Sequence, residues 1–129
     1  MATIRILIVD DNPTNLKLAS LLLESEGYVV DRASSAESAL ERIRELLPDL
    51  ILMDIELPGM DGLSLTRLLK KDPTTRHIPV IALTAFAMKG DEEKARDAGC
   101  QGYLTKPLNT RTLAAEIIEA LRPKSVEIP

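Results

Sequence analysis

The sequence predicts an α/β protein, a doubly wound (βα)5 chain in which five parallel strands alternate with five helices. Short apolar runs of β-type residues recur at 4–9, 28–30, 50–53 and 80–83, with a weaker pair at 103–104. Helix start and stop signals lie in the segments between these runs. The runs at 6–9, 50–53 and 80–83 contain no polar residue, which is typical of strands buried on both faces of a parallel sheet.

The first three helices have distinct N-terminal signals. These signals are Asn12 followed by Pro13, a capping box of Ser34 with Glu37, and Asp61. Gly27 closes the first helix and Pro48 stops the second. The predicted apolar faces are Leu16, Ala19 and Leu23 in the first helix, Ala36, Ala39, Leu40, Ile43 and Leu47 in the second, and Leu65, Leu68 and Leu69 in the third.

The last two predicted helices differ in how much apolar surface their sequences provide. The segment 89–98 offers little apolar surface, so we expect the fourth helix to be the loosest. Asn109 or Thr110 opens the fifth helix, which carries Leu113, Ile117 and Leu121, and Pro123 ends it.

The order of the strands follows from polarity and handedness. The second strand continues into Asp31 and Arg32 and therefore suits a sheet edge. Right-handed crossovers then favour the order 2-1-3-4-5. A chain of 129 residues fits one domain, which we expect to span 1–123, with a short tail over 124–129.

Composition and charge exclude several classes of partner. The net charge is -4 and the basic residues are scattered, so no direct contact with nucleic acid is predicted. No apolar run exceeds four residues, which predicts no membrane insertion. The lone cysteine, Cys100, cannot form an internal disulfide and is expected to be structural, and a cytoplasmic location is expected.

Five chemistry-bearing residues follow four of the predicted strands. They are Asp10 and Asp11 after the first, Asp54 after the third, Thr84 after the fourth and Lys106 after the fifth. Ligands of such sheets bind outside the carboxyl ends of the strands, near the switch point between the first and third. One Asp at a strand end is commonly a turn or cap. The combination of all five predicts a functional site.

The composition of this site indicates phosphoryl chemistry. Three carboxylates on one rim repel each other unless a hard cation such as Mg2+ lies between them. The formal charges of three carboxylates, Mg2+ and the Lys106 ammonium cancel, so an incoming phosphoryl group meets no large repulsion. Asp54 is the best placed of the three to act as the nucleophile and form an aspartyl phosphate.

Four stretches of the sequence carry a family resemblance. They are Ile6–Asn12, Leu50–Gly62, Ile81–Ala85 and Tyr103–Pro107. Together they resemble the receiver domain of two-component response regulators, over residues 4–121, which implies the flavodoxin-like receiver fold of the chemotaxis regulator. The run 84–93 is similar to single-domain, DivK-like cell-cycle regulators.

The resemblance assigns roles around the predicted site. It implies that Asp54 is the phosphoacceptor, that Asp11 binds Mg2+ directly and Asp10 more remotely or through water, and that the Glu56 backbone carbonyl is a further ligand. Thr84 and Lys106 would hold the phosphoryl oxygens, and the Lys106–Pro107 peptide is expected to be cis.

Three further positions have implied regulatory roles. Tyr103 occupies the place of the family's switch aromatic, acting with Thr84, and the alternative is a plain strand aromatic with a hydrated hydroxyl. Glu56 and Phe86 flank the mouth of the site and are expected to tune the lifetime of the aspartyl phosphate. Glu56 could repel hydroxide or interact with Lys106, and the sequence does not choose between these.

The resemblance implies a phosphorylation-activated switch rather than an enzyme acting on other molecules. The donor would be a sensor histidine kinase or a histidine phosphotransfer protein, which would dock on the apolar side of the first helix. The target protein would bind the face formed by the fourth helix, fifth strand and fifth helix, with the chain a monomer or weak dimer. Alternatives are an Mg2+-dependent phosphohydrolase using Asp54 and Glu56, a phosphorylation-independent binding module, or a fragment of a hybrid kinase.

Overall fold

Five parallel strands form one sheet in the computed structural model, which describes residues 3–85 and 88–121. The strands are β1 (Arg5–Val9), β2 (Val29–Ala33), β3 (Leu50–Asp54), β4 (Val80–Thr84) and β5 (Gly102–Thr105). The helices are α1 (Pro13–Ser25), α2 (Ala36–Glu45), α3 (Gly62–Lys71), α4 (Asp91–Ala98) and α5 (Thr110–Leu121). The strand order is β2-β1-β3-β4-β5, so the predicted fold class and topology are confirmed.

The helices cover both faces of the sheet. On one face, Leu7 and Val9 of β1 point into a core that also contains buried residues of α2, α3 and α4. On the other face, Ile6 and Ile8 pack with buried residues of α1 and α5. Every residue of β3 and β4 is buried, as their uniformly apolar runs predicted.

Most predicted helix starts are confirmed. The Asn12 side chain accepts hydrogen bonds from the backbone of Thr14 and Asn15, and Asp61 accepts one from Ser64. Of the two candidates for the start of α5, Asn109 is the capping residue: its Oδ1 accepts hydrogen bonds from Arg111 N at 2.9 Å and Thr112 N at 3.1 Å. Each cap satisfies backbone donors that the helix itself leaves unpaired.

The capping box of α2 lies one residue later than predicted. Ser35 Oγ accepts a hydrogen bond from Ser38 N, and Ser38 Oγ accepts one from Ser35 N, so the predicted pairing of Ser34 with Glu37 is wrong. The shorter serine side chain takes the reciprocal role usually filled by Glu or Gln. Glu37 instead places its charge in the first turn, where it complements the helix dipole.

Two leucines predicted on apolar faces are exposed. Because α2 ends at Glu45, before Pro48, Leu47 lies beyond the helix and is 47% exposed. Leu68 in α3 is 46% exposed, while its neighbours Leu65 and Leu69 are buried. The apolar stripe of α3 is therefore narrower than the sequence pattern suggested.

The fourth helix is held by few buried groups. Only Ala95 and Ala98 of α4 are buried, which agrees with the small apolar face seen in the sequence. Its looseness stays a prediction, as do Pro123 as the end of α5 and the domain boundary at 123, which lie outside the described residues. No helix among 3–85 and 88–121 is both long and apolar enough to cross a membrane.

Candidate functional site

The three predicted aspartates meet at the carboxyl ends of β1 and β3. These strands are direct neighbours, with Val9 paired to Met53, so the residues at and just after their ends share one edge of the sheet. Each of Asp10, Asp11 and Asp54 offers a carboxylate oxygen, and these oxygens lie within 4.8 Å of one another. Asp10 and Asp54 are buried, whereas Asp11 is exposed.

Lys106 completes this acidic cluster. It follows β5, and its Nζ donates hydrogen bonds to Oδ2 of Asp10 at 2.8 Å and to Oδ2 of Asp54 at 3.1 Å. The Lys106–Pro107 peptide is cis, as the resemblance implied. One ammonium group thus partly neutralises two buried carboxylates.

Backbone amides hold the remaining oxygens of the buried aspartates. Asp54 Oδ1 accepts a hydrogen bond from Glu56 N at 2.8 Å, and Asp10 Oδ1 accepts one from Asn12 N at 2.9 Å. In each case the donor lies two residues farther along the chain. Both carboxylates are therefore oriented on both oxygens before any ligand binds.

Burial and charge shift the protonation equilibria of this cluster. Burial raises the pKa of the Asp54 carboxyl above its ordinary value of 3.8; hydrogen bonds from Glu56 and Lys106 oppose this rise and the charge of Asp10 adds to it. For Lys106, burial alone would lower the pKa, but the hydrogen bonds to Asp10 and Asp54 outweigh it and the pKa is raised. Lys106 is therefore held in its charged form.

A glycine outside the predicted set positions Asp54. The first helical residue of α3, Gly62, packs so closely that a Cβ atom there would lie 2.2 Å from the Asp54 carbonyl oxygen and 2.9 Å from the Ile55 Cα. Only glycine permits this approach. The sequence showed a glycine just after the cap Asp61, but contact with the end of β3 depends on the tertiary fold.

The Glu56 side chain contacts Thr84 rather than Lys106. One carboxylate oxygen accepts a hydrogen bond from the Thr84 hydroxyl, and the other accepts one from Ala85 N at 3.1 Å. The alternative contact between the Glu56 side chain and Lys106 is therefore not formed. Lys106 is directed toward the two buried aspartates, whose oxygens it already binds.

Tyr103 lies on β5, partly buried. Its hydroxyl is buried and has no hydrogen-bond partner among the described residues, and its roles as switch aromatic or plain strand aromatic both stay predictions. Burial raises the pKa of the hydroxyl, and the negative charges of Asp91, Glu56 and Glu92 raise it further. Phe86, the other predicted position at the mouth, lies outside the described residues.

An apolar groove adjoins the cluster. It has a volume of about 520 Å³ and runs between α1 and the segment after β5. Asp10 and Lys106 lie among its lining residues, together with Leu18 and Leu21 of α1, which are 57% and 54% exposed. Exposed leucines beside a charged site are typical of a protein-binding surface.

Fold and site together define a class: parallel α/β proteins with an aspartate and lysine cluster at the switch point of the sheet. The model of the response regulator receiver domain family matches residues 6–118, and the chain belongs to that family.

Relatives and solved structures agree with this membership. The chain is 54% identical over 104 residues to the polar-differentiation response regulator DivK of Brucella ovis, covering 81% of this chain and 85% of that protein. Chemotaxis protein CheY4 of Vibrio cholerae matches with a TM-score of 0.87 at 26% identity, covering 93% of this chain and 100% of the other. The receiver domain of a Pseudomonas aeruginosa sensor histidine kinase, with a magnesium ion in its active-site cleft, matches with a TM-score of 0.84 at 37% identity, covering 93% and 98%.

Proposed function

We propose that this receiver domain is a phosphorylation-dependent switch in which Asp54 accepts a phosphoryl group from a phosphohistidine. The observation that carries the proposal is the cluster of Asp10, Asp11 and Asp54 within 4.8 Å, with Lys106 bound to two of its members. Asp54 is the member at the end of a fully buried strand, held on one oxygen by Glu56 N and on the other by Lys106.

The transfer is a displacement at phosphorus. A carboxylate oxygen of Asp54 forms the new O–P bond while the P–N bond of the donor phosphohistidine breaks. The electron pair of that bond remains on the imidazole nitrogen, which leaves as neutral histidine when its other nitrogen carries a proton. Asp54 supplies its lone pair as a carboxylate and needs no proton removed.

The residues of the cluster fit a magnesium ion. Three carboxylates on one edge are oxygen donors of the kind that hard divalent cations prefer, and their mutual repulsion is only partly relieved by Lys106. Asp11 and Asp54 would hold the ion, with Asp10 and the Glu56 backbone carbonyl as further donors. When bound, the ion would neutralise charge on the transferred group.

Lys106 and Thr84 would bind the oxygens of the transferred group. Lys106 already contacts the acceptor oxygen Oδ2, so its ammonium lies where negative charge develops. Thr84 ends β4, next to β3 in the sheet, with Leu83 paired to Asp54. Movement of Thr84 toward the phosphoryl group would bias the position of Tyr103 and α4, as a shift between two existing states.

Partners would reach the protein on two surfaces. The groove between α1 and the segment after β5 combines exposed leucines with Asp10 and Lys106, which suits a helix of a histidine kinase or histidine phosphotransfer protein presenting its phosphohistidine. The target protein would bind the surface of α4, β5 and α5. The chain would catalyse only its own phosphorylation and dephosphorylation.

Intact-mass measurement after incubation with acetyl phosphate and Mg2+ tests this function. We expect a gain of one phosphoryl group in the unaltered chain and none in Asp54→Asn or in the presence of a chelator. Absence of the adduct with both acetyl phosphate and a phosphorylated histidine phosphotransfer protein would contradict the proposal and favour a binding module. Continuous phosphate release from unrelated phosphomonoesters would favour the phosphohydrolase.

A further inference from the structure

A carboxylate of the chain itself already occupies hydrogen-bond donors close to Asp54, the proposed phosphoacceptor. The Glu56 carboxylate accepts hydrogen bonds from the Thr84 hydroxyl and from Ala85 N. These two donors come from the end of β4 and the residue after it. Together they form a cradle for negatively charged oxygen, filled by one side chain.

The backbone of Glu56 also contacts Asp54, the proposed phosphoacceptor. Glu56 N donates a hydrogen bond to Asp54 Oδ1 at 2.8 Å. Glu56 thus binds the acceptor through its amide and the Thr84 hydroxyl through its carboxylate. A phosphoryl group on Asp54 would carry its oxygens toward the donors that Glu56 now occupies.

We propose that the Glu56 carboxylate is a built-in competitor of the phosphoryl group, which holds Thr84 and Ala85 in the resting state and must leave when Asp54 is phosphorylated. The inference rests on the proposed function of Asp54. Two negatively charged groups cannot share the same two donors without strong repulsion, so binding of one displaces the other. Glu56 is exposed, so its side chain can swing into solvent.

The competition has a direct energetic consequence. Hydrogen bonds to a charged group contribute more to stability than neutral ones, and phosphorylation must break them at Glu56 before it gains its own at Thr84 and Ala85. Glu56 therefore lowers the affinity of the site for a phosphoryl group. The Glu56 side chain acts by positioning Thr84 and does not need to touch the reacting atoms.

The test uses beryllofluoride, a phosphoryl analogue, with Mg2+ and the full chain, and follows binding by 19F NMR. Glu56→Ala removes both the contact and the charge, whereas Glu56→Asp keeps the charge on a side chain one carbon shorter. We expect both variants to bind beryllofluoride about tenfold more tightly than the unaltered chain. The matched control Glu41→Gln removes a negative charge from an exposed position of α2 and should leave the affinity unchanged.

A second readout reports the contact without the analogue. In Glu56→Ala, the Ala85 amide proton should shift upfield and exchange faster in the resting protein. The inference is overturned if Glu56→Asp binds like the unaltered chain, since charge alone would then explain the effect, or if neither variant binds more tightly. Failure of the unaltered chain and of every variant to bind beryllofluoride would instead contradict the proposed function of Asp54.

Discussion

The ammonium nitrogen of Lys106 lies 3.1 Å from Oδ2 of Asp54, and the two residues are 52 positions apart in the sequence. The contact joins the segment after β5 to the last residue of β3, across β4. It places a positive charge beside a carboxylate oxygen of Asp54, the proposed phosphoacceptor. The same ammonium binds Asp10, so one side chain connects three separate segments of the site.

Loss of Lys106 should destabilise the protein in the absence of a divalent cation. Removal of one partner from a buried ion pair typically costs about 3 kcal/mol, because the remaining charges are left without compensation. Here two buried carboxylates, Asp10 and Asp54, would lose their shared partner. We expect Lys106→Met to lower the free energy of unfolding by about this amount, measured by urea denaturation in EDTA. Lys94→Met on exposed α4 is the control, and equal effects of the two changes would contradict the prediction.

Magnesium should stabilise the folded chain through Asp11. At a Mg2+ concentration about one hundred times the dissociation constant, a single site adds about 2.7 kcal/mol to the free energy of unfolding. Asp11→Asn should remove most of this gain while preserving the contacts of Lys106 with Asp10 and Asp54. Urea denaturation at increasing MgCl2 measures the effect, with Glu41→Gln, an exposed position of α2, as control. An equal gain in all three proteins would show that Mg2+ binds elsewhere.

A methyl group at Gly62 should disturb the site through its backbone. The added Cβ would lie 2.2 Å from the Asp54 carbonyl oxygen, so the start of α3 or the end of β3 must move. Overpacking of this kind costs about 1–3 kcal/mol. We expect Gly62→Ala to lose this much stability in urea denaturation and to bind Mg2+ more weakly.

The control for this change is Gly27→Asn. Gly27 lies before β2 with a φ of 93° and no atom within 4 Å of the position of a Cβ, so a side chain there strains the backbone without any steric contact with the site. It should retain Mg2+ binding. Wild-type Mg2+ affinity in Gly62→Ala would show that the close approach of α3 does not position Asp54.

Cys100 should make the protein less stable at alkaline pH. Burial raises the pKa of its thiol above the ordinary value of 9.0. Above pH 9.0 the unfolded chain loses the thiol proton while the folded chain keeps it. The free energy of unfolding is therefore unaffected by this thiol below pH 9.0 and falls as the pH rises toward the folded-state pKa. The loss approaches about 1.4 kcal/mol per pH unit.

Urea denaturation between pH 8 and pH 10 (roughly one unit either side of the ordinary thiol pKa) measures how the Cys100 thiol changes the free energy of unfolding with pH. We expect the free energy of unfolding to fall less steeply with pH in Cys100→Ala than in the unaltered chain, because the substitution removes the titrating thiol and leaves all other groups in place. Parallel pH profiles would contradict the prediction. A constant difference between the two proteins would reflect only the lost packing at this buried position.

Sequence patterns predicted the elements that depend on local signals. The apolar runs located β3 and β4 because both faces of these strands are buried, and the rule for strand ends brought Asp10, Asp54 and Lys106 together. The start of α2 was wrong by one residue because two adjacent serines can each cap a helix.

Contacts between distant side chains were beyond the sequence patterns. The predicted strand order already made β3 and β4 neighbours, but the hydrogen bond from Thr84 to Glu56 also requires the Glu56 side chain to turn away from Lys106, and that choice leaves no periodic signal. The approach of Gly62 to the Asp54 carbonyl likewise depends on how α3 packs against β3. These contacts, rather than the identity of the aspartates, are what the structure adds.

Chemical mapping of the phosphorylated residue tests the central claim most directly. Borohydride reduces an acyl phosphate to an alcohol, which converts a phosphorylated aspartate to homoserine. After phosphorylation with acetyl phosphate and Mg2+, peptide mass spectrometry should find homoserine at position 54 alone. Homoserine at position 10 or 11, or phosphate retained on a serine, threonine or histidine, would contradict the assignment of Asp54 as the acceptor.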